Sequence, residues 1–468
     1  MNSWLRTQAE KNPEKLFVQQ GENQFTFGDI YDTVLVFAKS LLKNDLTFND
    51  KVVIFLPTGV DTVEMILACF EIGVIAVPLS IKLTEQELDV LLNQIQPTLI
   101  ITNWANKKRF NKFSNCTHIY IEEVISSSDG CGITEISNRS TQDDVCAILL
   151  TSGTTDLPKA VQLTYKNFEA SCENWHDYLG FKDDDQFLCC LPLNHIGGLA
   201  VIIRALIYGF SINLVNSFNA EVIFNAFTHY PVTIVSLVPT LLKRILELPG
   251  AEFRLKSMRY ILLGGGPASD RLLLKCIHDK INIIKTYGMT ETCSGIVGLS
   301  ILNEPENRQY AGRPFKDVNL NIENGTILIT GPMVMKGYLG NPIANGSHDS
   351  KDLGRIKNDI LYLDCRRKDL IISGGENVNP REVESVIQSF PNISDAAVTG
   401  LKDDEWGQRV VAFVVSKNEV DTEKLGEFCR EKLSDFKCPK DIIQLDEIPR
   451  TVIGKVDLPK LTGYIKGF

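Results

Sequence analysis

Between residues 151 and 159 the chain gathers small hydroxylated residues, a glycine and a lysine: Thr151, Ser152, Gly153, Thr154, Thr155, Asp156, Leu157, Pro158 and Lys159. Side chains this small let backbone N–H groups close around an anion, and the lysine adds positive charge. That chemistry suits a polyphosphate. The spacing is not that of a Walker A loop, G-x-x-x-x-G-K-[ST]. Such clusters are in general polar turns after strands, but here further stretches with related chemistry follow in order.

Gly264, Gly265 and Gly266 close an apolar run. Without side chains they let a flat ligand lie against the backbone, and they serve a tight strand-to-helix turn equally well. Tyr287, Gly288, Thr290 and Glu291 follow another apolar run. The ring can stack on a base and the threonine can contact a phosphate. The carboxylate is a hard oxygen ligand for Mg²⁺ held between protein and phosphates, or an acidic residue favoured at a helix N-terminus. Asp352 can accept both vicinal hydroxyls of a ribose and Arg366 can reinforce that, although each alone reads as a surface charge. His195, with Gly197 and Gly198 behind it, stands where a substrate channel could open; a lone histidine there is more often structural. Lys455 follows Gly454 near the C-terminus, where a lone lysine is usually solvated.

Short β-rich runs, at 51–57, 74–79, 98–102, 118–121, 145–150, 186–191, 211–215, 233–238, 260–263 and 281–285, must position these groups. Helical patterns at 60–70, 84–95, 165–178 and 220–229 separate many of them. Such alternation predicts βαβ units and largely parallel sheets covered on both faces. Ligands in such sheets sit where strands end and loops begin. Residues 1–50 read as helical and amphipathic with a hairpin-like interruption at 21–23. From about residue 303 short strand-like segments (318–322, 325–329, 337–338) predict a small β subdomain. A compact α+β segment follows, and the boundary is placed near Lys368. The fold class is therefore α/β: a large N-terminal domain (1–367) of parallel-type sheets with flanking helices and a small β subdomain, plus a small α+β C-terminal domain (368–468).

A chain of 468 residues, 44% hydrophobic and 23% charged, is expected to form two or more globular domains. Its net charge of −10 argues against a nucleic-acid partner. No run of 18 uncharged apolar residues predicts a membrane span, and the N-terminus lacks a signal-peptide pattern. The 12 scattered cysteines include no C-x-x-C pair and fit a reducing compartment, hence a cytoplasmic location.

Taken together, the stretches resemble the family of AMP-forming adenylating enzymes, which includes acyl-CoA and aryl-CoA synthetases, firefly luciferase and the adenylation domains of peptide synthetases. The likeness covers essentially the whole chain. It rests on the 151–159 loop, the stretch from Tyr287 to Glu291, the Asp352 motif, Arg366-Arg367-Lys368-Asp369, Ile372-Ser373-Gly374-Gly375-Glu376-Asn377, and Gly454-Lys455. A narrower likeness, strongest over 191–208, is to ligases that join CoA to an aromatic dicarboxylic acid.

The resemblance implies that a carboxylate attacks the α-phosphorus of ATP, giving acyl-AMP and pyrophosphate, and that CoA then takes the acyl group. Thr151, Ser152, Gly153, Thr154, Thr155 and Lys159 would grip the phosphates, with Glu291 on Mg²⁺ and Thr290 beside them. Gly264, Gly265, Gly266, Tyr287 and Gly288 would hold adenine, and Asp352 and Arg366 the ribose. Lys455, Glu291, Thr151 and His195 would form the catalytic group. Lys368 would be the hinge of a mobile C-terminal domain whose Gly374 and Gly375 face the pantetheine of CoA. His195, Gly288 and Arg204 would meet the acid, Arg204 through a second carboxylate. The partners implied are a small carboxylic acid, ATP and CoA, with a homodimer as the assembly to consider.

Three positions depart from the family pattern. Asp156 stands where glycine is usual, Lys351 replaces the glycine of Thr-Gly-Asp, and Leu458 replaces an arginine. They leave alternatives open: a fatty or aryl acid–CoA ligase, an enzyme loading a carrier protein in trans, or a nucleotide-binding protein with decayed activity.

Overall fold

The computed structural model describes residues 3–110, 116–126, 139–151, 158–366, 369–373, 376–403, 406–451 and 454–465; the side chains of Ser126, Cys365, Arg366 and Asn377 lie outside that description. Among the described residues, two large sheets dominate the N-terminal region. The nine-stranded sheet runs Arg313–Pro314, Ser294–Ser300, Ile283–Met289, Tyr260–Leu263, Ile234–Leu237, Gln186–Cys189, Ser211–Leu214, Leu16–Gln20, Asn23–Thr26. The strands from Ile283–Met289 to Leu16–Gln20 are parallel, and antiparallel strands close both edges. The seven-stranded sheet runs Gly337–Tyr338, Lys159–Thr164, Val145–Thr151, Ile75–Pro78, Lys51–Ile54, Leu99–Thr102, Thr117–Tyr120.

The inner strands are short continuous apolar runs, as strands buried on both faces must be. Val52, Val53 and Ile54 are all buried, as are Ile75, Ala76 and Val77. Between the sheets lie helices Phe27–Leu42, Val60–Ile72, Tyr165–Leu179 and Ile196–Tyr208, sharing one core with both. Phe27–Leu42 shows why such a segment is helical. Thr26 and Asp29 form a reciprocal capping box, and Ile30, Val34, Phe37, Ala38 and Leu41 bury one face at helical spacing. Each fully buried large side chain here contributes about 1.5–3 kcal/mol. Separate cores cover the outer faces, one under Ala220–His229, Pro239–Ile245 and Asp270–His278, the other under Glu85–Ile95.

A four-stranded antiparallel sheet follows: Asn319–Glu323, Thr326–Thr330, Ser347–Lys357 and Ile360–Arg366. Beyond it, a five-stranded sheet built on Ile393–Asp403 and Gly407–Ser416 carries helices Pro380–Gln388 and Thr422–Lys432. The two cores of this last region draw only on residues from Ile371 onward.

One expectation is met and one needs correction. The hairpin-like interruption of the first fifty residues is a hairpin of strands Leu16–Gln20 and Asn23–Thr26, set between helices Trp4–Lys11 and Phe27–Leu42. Gly21 takes a left-handed φ of 57° at the turn, and the strand is held by pairing with Ser211–Leu214, nearly 200 residues away. Gly337–Tyr338 does not join the small β sheet. It pairs with Val161 and Gln162 at the edge of the seven-stranded sheet.

Candidate active site

Strand Ile283–Met289 runs on past residue 285, turns through Thr290–Thr292 and returns antiparallel as Ser294–Ser300. A Cβ on Gly288 would lie 2.1 Å from Ser294 O and 2.6 Å from Gly295 Cα, so only glycine allows the two arms to cross this closely. Tyr287 lies within the strand, not past its end. Its hydroxyl donates to Asp352 Oδ2 at 2.7 Å. Asp352 is 8% exposed, and Ser350 Oγ accepts its N–H at 3.1 Å while donating to Ile327 O at 2.8 Å. Its strand neighbour is Arg366 by backbone register. Lys351 adopts φ 60°, a left-handed conformation that costs a residue with a Cβ roughly 1 kcal/mol. Its ammonium pairs with Asp349, so the added charge is turned away from Asp352.

Glu291 stands at the turn. Its Oε1 accepts the Tyr338 hydroxyl at 2.8 Å, and its backbone carbonyl accepts Met335 N–H at 2.8 Å. Lys159 Nζ lies 5.0 Å from the Tyr338 ring centroid, a cation–π contact. Lys159 in turn pairs with Thr151, whose Oγ1 donates to its carbonyl at 3.4 Å. The ring of His348 stands edge-on to Tyr338 at 6.4 Å; burial lowers its pKa while Glu291 pulls the other way. Thus one tyrosine joins Lys159 to the candidate metal carboxylate. Sequence reasoning missed both Tyr338 and His348, because a tyrosine carries no phosphate or metal signature of its own. No group of three or more His, Cys, Asp or Glu side chains among the described residues could hold a metal. One carboxylate completed by phosphate oxygens is the usual Mg²⁺ arrangement, so Glu291 fits that ion.

The three glycines after strand Tyr260–Leu263 differ in kind. A Cβ on Gly264 would meet Thr286 Cγ2 at 2.8 Å, and Gly265 takes φ 78°, so packing and backbone require both. Gly266 has no atom within 4 Å of that position, and its surface is open to a ligand. Thr290 opens the turn and its carbonyl accepts Cys293 N–H at 3.0 Å.

His195 caps helix Ile196–Tyr208 just beyond strand Gln186–Cys189. Gly198 is obligatory there, its Cβ position lying 2.4 Å from two carbonyl oxygens, those of Leu191 and Pro192. Burial, then the charge of Lys455, pushes the His195 pKa down to about 4. The imidazole is therefore neutral near pH 7. Arg204, on the same helix, is 2% exposed. Its Nη2 donates to Ser294 Oγ at 2.8 Å and its guanidinium lies 5.0 Å from the Trp175 ring, and no carboxylate is paired to it among the described residues. A buried cation without a counter-ion is costly, and an anionic ligand would offset that cost.

The structure thus groups Thr151, Lys159, Tyr287, Gly288, Thr290, Glu291 and Asp352 around one hairpin and its neighbouring strand ends, with Arg204 anchored to the same hairpin. The charge of Lys455 is felt at His195, on the neighbouring strand end. Ser152, Gly153, Thr154, Thr155, Asp156, Lys368, Gly374 and Gly375 lie outside the described residues, as does the Arg366 side chain.

Residues 5–339 match the model of the AMP-binding enzyme family, and residues 382–455 that of the AMP-binding enzyme C-terminal domain. A 2-succinylbenzoate–CoA ligase from Bacillus licheniformis is 36% identical across 98% of this chain and 99% of its own. The o-succinylbenzoate CoA synthetase from Bacillus subtilis, solved with its acyl-adenylate intermediate, gives a TM-score of 0.89 at 33% identity, over 98% of this chain and 97% of that one. The same enzyme with ATP and magnesium ion gives 0.88 at 32%, over 98% and 99%. A double mutant of it bound with a product analogue gives 0.73 at 33%, over 97% and 96%.

Proposed function

Since the chain belongs to the AMP-binding enzyme family, we propose that it is an ATP-dependent acid–CoA ligase acting on 2-succinylbenzoate, a step of menaquinone biosynthesis. The observation that carries this reading is the joining, around one hairpin, of the Tyr287–Asp352 bond with the Glu291–Tyr338–Lys159 set. Near-full-length likeness to succinylbenzoate–CoA ligases supports the choice of acid.

Asp352, held by Tyr287 and Ser350, accepts the ribose hydroxyls, with Arg366 beside it. Tyr287 and the glycines at 264–266 flank adenine. Thr151 and Lys159, with the hydroxylated residues 152–155, grip the phosphates. Mg²⁺, when bound at Glu291, neutralises phosphate charge. Lys455 approaches the carboxylate and α-phosphate oxygens, where preorganised positive charge offsets the repulsion between two anions. The neutral His195 lines the channel to the acid without adding charge, and Arg204 offers a counter-charge for a second carboxylate. In the second half-reaction the CoA thiolate attacks the mixed anhydride and AMP leaves.

The domain reading is part of the proposal: residues 1–367 and 368–468 turn about Lys368, withdrawing Lys455 and bringing Gly374 and Gly375 to the pantetheine. The lower structural score against the product-analogue complex, at matching identity and coverage, supports an arrangement here that suits adenylation. Lys351, paired with Asp349, leaves the Asp352 site intact, and Leu458 packs into the C-terminal core. Both favour activity over decay. Nine buried free cysteines among the described residues support a reducing, cytoplasmic location. None of the described helices is long and apolar enough to cross a membrane. A homodimer completes the reading and is checked by sedimentation.

The test is pyrophosphate release with ATP, Mg²⁺ and a panel of carboxylic acids, with and without CoA. The expected result is release with 2-succinylbenzoate and succinylbenzoyl-CoA when CoA is added. Release with a different acid alone sinks the substrate assignment, and release with none sinks the enzyme reading.

A further inference from the structure

Lys455 stands on a different kind of segment from the hairpin that carries Glu291. It lies on an irregular return of the chain between strand Asp441–Leu445 and helix Leu458–Gly463. A long cationic side chain on such a segment loses rotamer and backbone freedom when it is aimed at one spot, and something must offset that loss. Two backbone hydrogen bonds pinch the ends of the return. Thr451 N–H donates to Lys455 O at 2.7 Å and Asp457 N–H donates to Pro449 O at 2.8 Å, which makes Arg450 and Val456 an antiparallel bridge.

One side chain ties this pinch to the rest of the domain. Arg450 Nη1 donates to Gly454 O at 3.1 Å, the carbonyl immediately before Lys455. Its Nη2 donates to Asp395 Oδ2 at 2.8 Å, on strand Ile393–Asp403. Both side chains are about three-quarters buried, at 24% and 27% exposure, so solvent screens the pair less than an ordinary surface bridge. Asp395 is itself fixed, because its Oδ1 accepts Ala396 N–H at 2.9 Å.

The same strand end touches the N-terminal region. Lys243 Nζ, on helix Pro239–Ile245, donates to Ser394 O at 3.1 Å, one residue before Asp395. Gly454 adopts φ 78°, and a Cβ there would lie 2.8 Å from Thr240 Oγ1 and 3.3 Å from Val238 Cγ2. The segment bearing Lys455 is thus pressed against the first turn of that helix. Arg450 is the link between the docked strand end and the carbonyl next to the lysine.

We infer that Arg450 is a positioning residue for the adenylation half-reaction: through Asp395 and the Gly454 carbonyl it sets where Lys455 stands when the C-terminal region is docked. This rests on the ligase reading proposed above. Arg450 reaches the substrate only through Lys455. A lysine at 450 could keep the ion pair but lacks the planar fork that serves both acceptors at once.

The experiment measures two half-reactions separately on Arg450→Ala, Arg450→Lys and Asp395→Ala, beside the unaltered chain. The first is pyrophosphate release from ATP and 2-succinylbenzoate; the second is thioester formation from supplied succinylbenzoyl-AMP and CoA. Arg450→Ala is expected to lower the adenylation kcat by roughly 10²-fold, the cost of displacing a reacting group by about 1 Å. The KM for ATP should change less than about twofold, thioester formation should stay within about twofold, and Arg450→Lys should fall between. The double variant Arg450→Ala/Asp395→Ala should be no slower than Arg450→Ala, because one arm of the same link is removed twice. Equal loss in both half-reactions, no loss in either, or fully additive single variants overturns the positioning role. An unaltered chain that releases no pyrophosphate overturns the ligase reading, and this role with it.

Discussion

Two regions of this protein place functional groups by opposite means. The hairpin around Tyr287 and Glu291 is locked from within: Gly288 and Gly295 cross at contact distance, Tyr287 is bonded to Asp352, and Glu291 to Tyr338. The segment bearing Lys455 has its own pinch and lies against the N-terminal region with Gly454 at Thr240, while Ser394 on strand Ile393–Asp403 accepts from Lys243. On the proposed reading, the hairpin keeps its place through both half-reactions, while the segment bearing Lys455 arrives for the first and leaves for the second. An enzyme with two half-reactions needs both, since a lysine that helps form acyl-AMP would stand in the way of the thiol that consumes it.

The sharpest break in the comparison is Lys455→Ala. Removing the delivered charge should lower the adenylation rate by roughly 10²–10³-fold, as losing one preorganised donor does. ATP binding, measured by calorimetry, should hardly change because its contacts belong to the other region. A variant that loses both together would show the two regions to be one.

His195 reports the contact between regions through pH. Its folded pKa of about 4 lies below the ordinary 6.5, so the folded state disfavours its protonated form. This group's contribution to stability is complete above about pH 6.5 and is lost as pH falls from there toward 4, amounting to roughly 3 kcal/mol at most. Thermal unfolding across that window should show the loss, and His195→Gln should remove it. Lys455→Ala should narrow the window, since burial remains as the larger cause. A window unchanged by Lys455→Ala would separate the two groups.

Tyr338→Phe tests the locked side. Losing the hydroxyl on Glu291 should raise the Mg²⁺ concentration for half-maximal activity by about tenfold, the lower end for the loss of a ligand's hydrogen-bond partner. The phenyl ring keeps its place over Lys159, so the KM for the acid should stay the same. Direct titration of Mg²⁺ binding with ATP present gives a second readout. An unaltered Mg²⁺ dependence would mean that Glu291 is held without Tyr338.

Much of this site is legible in the sequence. The residues with chemical signatures, Lys159, Tyr287, Glu291 and Asp352, lie in motifs whose side chains declare their use, and each falls in or beside a strand. The parallel sheets are legible because strands buried on both faces are apolar throughout. What escapes a local reading is non-local pairing. The hairpin around residues 21–23 is legible, but not the pairing of Leu16–Gln20 with Ser211–Leu214, nor that of Gly337–Tyr338 with Val161 and Gln162.

Sequence by itself determined the family, the α/β architecture and the residues able to handle a nucleotide, because residue type and local spacing are enough to specify those. Only the tertiary structure decided how the groups are held. Tyr338 reaches Glu291 across 47 positions, Tyr287 reaches Asp352 across 65, and Arg450 reaches Asp395 across 55. Lys351, whose charge beside Asp352 threatens the ribose site on sequence grounds, is turned toward Asp349. Hydrogen bonds of this range depend on where whole strands pack, and the burial of those strands, not any local preference, fixes it.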